Sequence, residues 1–91
     1  MNQIDKLDAD KSTLRVLLYL HENKEANLTN IIKGIPAGQK AVYTALSTLT
    51  ELQLTEEKTS KDFPFTRNFI LTQKGQEIAK HLAEIEKILR S

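Results

Sequence analysis

The stretch that most constrains this chain runs from Leu28 to Leu54, LTNIIKGIPAGQKAVYTALSTLTELQL. Apolar residues recur in it at helical spacing in two runs, separated by Gly34, Pro36 and Gly38. Those residues end helices: Pro cannot extend the hydrogen-bond ladder, and Gly tolerates a positive φ. The first run predicts a short helix with Thr29 as N-cap and Ile31, Ile32 and Ile35 inside, Leu28 before it forming a strand of one or two residues. The second predicts a helix from Gln39 to about Leu52, opened by Gly38. Val42, Ala45, Leu46, Leu49 and Leu52 line one face of it. Gln39, Lys40, Tyr43, Thr44, Ser47, Thr48 and Glu51 fall largely on the other, which therefore carries one acidic residue, near its C-terminal end.

The flanks extend the pattern. Asn2 to Ala9 is a polar arm or an extra helical turn, and Asp8 or Asp10 caps a helix from Lys11 to Glu22. Leu14, Leu17, Leu18 and His21 follow the i, i+3, i+4, i+7 spacing, and Val16 and Leu20 widen the stripe, so this helix should be covered on two sides. Asn23 to Asn27 reads as a polar connection. Leu54–Thr59 and Thr66–Leu71 are rich in Thr, Phe and Ile, with a turn at Ser60-Lys61-Asp62, and predict a hairpin. Phe63 and Phe65 flank Pro64 near its tip and either meet a partner subunit or fold onto the core, core being expected for at least one. Thr72 caps a last helix, Gln73 to about Arg90, in which Ile78, Leu82, Ile85 and Leu89 form a seam extended by Ala79 and Ile88. Its outer face carries Glu77–His81, Lys80–Glu84 and Glu86–Arg90 at i, i+4.

These elements define a mainly α single domain with a small β-hairpin wing, an α+β arrangement across residues 1–91. Residues 1–10 form the arm, 11–72 the helix-turn-helix with its wing, and 73–91 the C-terminal amphipathic helix. With 40% apolar and 27% charged residues in 91, the chain is globular. It has no run long enough to span a membrane and no signal peptide, so a cytoplasmic location is expected. Having no cysteine, it makes no disulfides and none of the commonest structural zinc sites. An enzyme is not expected: His21 and His81 are the only histidines, and no nucleophile motif or glycine-rich loop accompanies paired carboxylates. Glu77, His81 and Glu84 share a helical face without a further strong ligand, so neither metal nor cofactor is expected. The net charge of +1 provides little general attraction for a polyanion.

Leu28-Thr29, the turn Pro36–Gly38, the run from Val42 to Leu49, and Leu54 together resemble the helix-turn-helix of MarR-like and PadR-like winged-helix regulators. Leu71-Thr72-Gln73-Lys74-Gly75 is similar to the Leu-Thr-x-x-Gly with which those families begin the helix after the wing. The resemblance covers about residues 12–90 and extends to small archaeal winged-helix proteins that dimerise through a terminal helix. Two departures stand out: Gln53 occupies the usual glycine position after the second helix, and Lys58, Lys61 and Arg67 share the wing with Glu56, Glu57 and Asp62. The resemblance implies a transcriptional regulator that binds double-stranded DNA sequence-specifically as a homodimer, with helix 39–52 in the major groove. Gln39 then suits adenine, Lys40 suits guanine or a phosphate, and Tyr43, Thr44 and Ser47 suit phosphates or a thymine methyl. Lys58, Lys61 and Arg67 would meet the flanking backbone or minor groove, and Ile78, Leu82, Ile85, Ile88 and Leu89 would form the dimer interface. The alternative is a winged helix that serves as a protein–protein interaction module in a larger assembly.

Overall fold

The computed structural model describes residues 4–8, 11–59 and 66–91, of which Lys11 is described in its backbone only. The elements are α1 (Ile4–Leu7), α2 (Lys11–Asn23), β1 (Glu25–Asn27), α3 (Leu28–Gly34), α4 (Gln39–Glu51), β2 (Thr55–Thr59), β3 (Arg67–Leu71) and α5 (Gln73–Arg90). The three strands form one antiparallel sheet in the order β1-β3-β2. None of the described helices is long and apolar enough to cross a membrane. Asp10, the turn at Ser60-Lys61-Asp62 and Phe63-Pro64-Phe65 lie outside the described residues.

α2 is the central helix, but its buried stripe is turned from the expected one. Thr13, Val16, Leu17 and Leu20 are fully buried, whereas Leu14 is 37% exposed. Val16, Leu17 and Leu20 join Val42, Ala45, Leu46 and Leu49 of α4, Leu54, Phe69, Leu71 and Ala79 in one core. Leu14 and Leu18 face away from it, along a shallow groove shared with Leu82, Ile85 and Leu89. The helix packs against α4, α5 and β3. Among the described residues, Thr13 Oγ1 is buried without a hydrogen-bond partner.

The segment after α2 differs from the sequence expectation. Glu25–Asn27 is a strand, with Ala26 opposite Phe69 in register, both buried. Three residues of low β propensity are held extended because β3 supplies their ladder partners. Leu28 begins α3 instead of forming a strand, and Asn27 is the cap in place of Thr29: its side chain accepts a hydrogen bond from the Asn30 amide at 2.8 Å. Gly34 also acts differently from expectation, since no glycine has positive φ. Its hydrogen lies against Tyr19: a β-carbon there would overlap the ring unless that side chain shifted, and the Tyr19 hydroxyl donates to the Asn30 carbonyl at 3.2 Å.

The positive φ falls instead on Lys24 and Gln53. At Gln53 (φ 64°) it closes α4 with two crossed hydrogen bonds, Leu54 N to Leu49 O at 2.9 Å and Gln53 N to Thr50 O at 3.0 Å. This is the Schellman arrangement, completed by burial of both Leu49 and Leu54. The turn is stitched to the start of α5. Thr72 N donates to Leu54 O at 3.0 Å, and Thr72 Oγ1 donates to Gln53 O at 2.8 Å while accepting from Gly75 N at 3.0 Å. Gly75 lies so close to Leu54 that a β-carbon would overlap its carbonyl oxygen.

Two substitutions at this joint should shift stability in opposite directions. Gln53→Gly removes the left-handed penalty of a side-chain-bearing residue and should stabilise the fold by about 0.5–1 kcal/mol. Gly75→Ala forces backbone apart in a packed region and should cost about 1–3 kcal/mol. Urea unfolding of both variants checks this, and equal midpoints for the two would contradict it.

Candidate nucleic-acid interface

α4 presents its polar face as the spacing requires. Val42, Ala45, Leu46 and Leu49 are buried, and Gln39, Lys40, Tyr43, Thr44 and Ser47 are all exposed. Gln39 Nε2 donates to the Tyr43 hydroxyl at 2.9 Å, one helical turn apart. Gly38 at the N-cap (φ −69°, ψ 158°) brings no side-chain oxygen to the first amides of the helix. Those N–H groups carry the positive end of the helix dipole. No acidic residue interrupts the face before Glu51.

The wing divides its cations. Thr55, Glu57 and Thr59 pair with Leu71, Phe69 and Arg67, while Glu56 and Lys58 pair with Ile70 and Asn68. Side chains alternate across a sheet, so Arg67 and Lys58 lie on opposite faces of the ribbon. Arg67 is on the side of α4, where it lines a groove with Tyr43, Ser47, Thr50, Glu51, Glu57 and Phe69. Lys58 is exposed on the other side, and Lys61 lies outside the described residues.

Arg67 is held by a partner that the sequence reading did not assign. Its Nε donates to Glu57 Oε2 at 2.7 Å and one terminal nitrogen donates to Oε1 at 3.1 Å. The guanidinium also lies over the Phe69 ring, 5.6 Å from its centroid. The hydrogen bond from Arg67 holds the Glu57 carboxyl below the usual glutamate range, against a small opposing effect of burial and with further help from the Arg67 charge. The same hydrogen bond raises Arg67. Residues 57 and 67 are two positions out of register across the hairpin, a relation that could be found only with the strand alignment in hand.

The C-terminal helix behaves as two halves. Ile78 and Leu82 pack partly buried against the core, with Ala79 fully buried. Ile85, Ile88 and Leu89 are 53%, 70% and 75% exposed. Of the charge pairs on the outer face, Glu86 and Arg90 meet at 3.3 Å, and His81 Nδ1 lies 3.9 Å from Glu84 instead of pairing with Glu77.

No protein-family profile matches the chain, and no curated protein matches it in sequence. Solved structures do match. A protein from Porphyromonas gingivalis W83, described as a transcriptional regulator of the MarR family, superposes with a TM-score of 0.83 at 20% identity, over 98% of this chain and 87% of that one. AF1382 from Archaeoglobus fulgidus matches at TM-score 0.78 and 19% identity, over 98% of this chain and 99% of its own. A transcriptional regulator homologue from Pyrococcus horikoshii OT3 matches at 0.78 and 16%, over 96% and 86%. The chain therefore has a winged-helix fold like that of MarR-family regulators, in which α3 and α4 are the helix-turn-helix and β2–β3 the wing.

The Glu57–Arg67 pair has a pH signature. A carboxyl whose pKa is lowered by folding contributes stability that is present above its unfolded pKa and lost as pH falls through the folded value. Followed by NMR, the Glu57 carboxyl should titrate below an ordinary glutamate, and Arg67→Met should return it to that range. An unshifted midpoint in the unsubstituted protein would show that the pair does not persist in solution.

Proposed function

We propose that this protein is a transcriptional regulator that binds double-stranded DNA as a homodimer, with α4 in the major groove. The observation that carries the reading is the outward face of α4: Gln39, Lys40, Tyr43, Thr44 and Ser47 are exposed together, with no acid before Glu51. Amide, hydroxyl and ammonium groups in the first turns of a helix suit base edges and phosphates. The first amides of α4, left without a side-chain cap, add a preference for an anion there. Lys58 on the far side of the ribbon is placed for the flanking backbone, and Arg67 for the groove beside α4. The likeness to proteins described as transcriptional regulators supports the same reading.

The exposure of Ile85, Ile88 and Leu89 supports the dimer. Full burial of each such side chain is worth about 1.5–3 kcal/mol, and their own domain leaves them in water. A second copy covering them, together with the groove at Leu14 and Leu18, would set two α4 helices about a two-fold axis, as a palindromic duplex requires. Two copies also offset the weak field of a chain with a net charge of +1.

Duplex affinity should fall steeply as salt rises, and Lys40→Ala should reduce the slope of log K against log salt by about one. A folded protein that binds no duplex at low salt would instead be the protein-interaction module. Leu89→Glu should move the protein from dimer to monomer in sedimentation, and a wild-type monomer would refute the proposed assembly.

A further inference from the structure

Among the described residues, the pairing of Arg67 and Glu57 leaves a particular edge of the guanidinium unused. An arginine has five N–H donors in a planar fork. The Glu57 carboxylate takes the side edge, through Nε and one terminal nitrogen. The terminal edge, where the two end nitrogens each point a hydrogen outward, stays available for a second paired acceptor. Phe69, 2% exposed and fixed in the sheet opposite Ala26 and Glu57, supports the cation from beneath. The side chain is thus held by two groups that the sheet itself fixes, yet it remains 54% exposed.

The surroundings of this cation are unusual for a surface that meets DNA. Among the described residues, the charged groups lining the groove between α4 and the wing are Glu51, Glu57 and Arg67. Two acids against one base do not attract a phosphate backbone in general. A groove that merely tracked the backbone would be basic. Here a misplaced phosphate meets carboxylates, whereas an acceptor pair in the right place meets an arginine already oriented.

We propose that Glu57 is a positioning residue that makes Arg67 a discriminating contact. It aims the terminal edge of the guanidinium at an acceptor pair beside Tyr43 and Ser47, and its own charge disfavours duplexes that do not supply one. Both effects widen the gap between right and wrong duplexes, the first by orienting the fork beforehand and the second by repulsion. The acceptors can be O6 and N7 of a guanine or two oxygens of a phosphate. This rests on the duplex-binding reading above.

The test compares affinity for a duplex recovered by selection from a random pool with affinity for a scrambled duplex of the same length and composition. Glu57→Gln should bind the scrambled duplex at least as well as wild type and the selected one less well, so that their ratio falls on the order of fivefold. Arg67→Lys keeps the charge but not the fork and should lower the ratio similarly. The double variant should fall no further than either single one, because the two residues act as a unit. A loss of preference at one base pair identifies a base edge as the acceptor, and a uniform loss identifies a phosphate. If wild type discriminates and both single variants keep its ratio, Glu57 has no such role and the duplex reading stands. If wild type binds no duplex, both readings fall together.

Discussion

The close approach of Gly75 to the Leu54 carbonyl is the constraint on which the rest of this fold depends. It joins the end of α4 to the beginning of α5, and thereby fixes the direction in which the wing leaves and returns. Leu54 accepts from the Thr72 amide and Gln53 from its hydroxyl, while that same hydroxyl caps α5. One threonine hydroxyl therefore joins a carbonyl 19 residues earlier in the chain to an amide three residues later. The hairpin between Gln53 and Thr72 starts and ends at a common point, which holds β2 and β3 beside α4. The left-handed Gln53 is the cost of this geometry, since the chain must reverse within one residue of the helix end.

Polar groups are distributed on this frame with a clear division. The first turns of α4 carry hydrogen-bonding groups and one lysine, while the acids gather at the C-terminal end of the helix and in the wing. A protein with a broadly basic surface binds any duplex and then must find the right one. This surface lacks such a field and places its donors locally, so under the proposed function geometry and the doubling of a weak site would dominate. The exposed end of α5 and the polar face of α4 are then coupled parts of one proposed function, because a single copy presents few contacts.

Much of the fold could be read in the order of residues. α2, α4 and α5 repeat their apolar positions over several turns, and packing any one of those faces demands a helix there. The Leu-Thr-x-x-Gly run was legible as a cap, although the reason for its glycine was not: Gly75 answers to a carbonyl 21 positions earlier, and no local pattern records that. Gly34 ends α3 as expected, but without a positive φ, and its contact with Tyr19 was not legible because that neighbour belongs to another helix. β1 escaped detection because Glu25-Ala26-Asn27 has no strand character of its own. The exposed residues of α4 were legible because helical periodicity fixes which side faces outward. The state of Arg67 was not, because it depends on how β2 and β3 align.

By itself, the sequence determined the main helices, the inward face of α4, the place of the wing and the polar outward face of α4, since each follows from spacing within one element. Tertiary structure alone decided the third strand, the rotation of the buried stripe on α2, the left-handed turn at Gln53 and the pairing of Glu57 with Arg67. Each of these is set by a partner distant in the chain, through ladder hydrogen bonds, close backbone approach or strand register, and those quantities exist only once the elements have met.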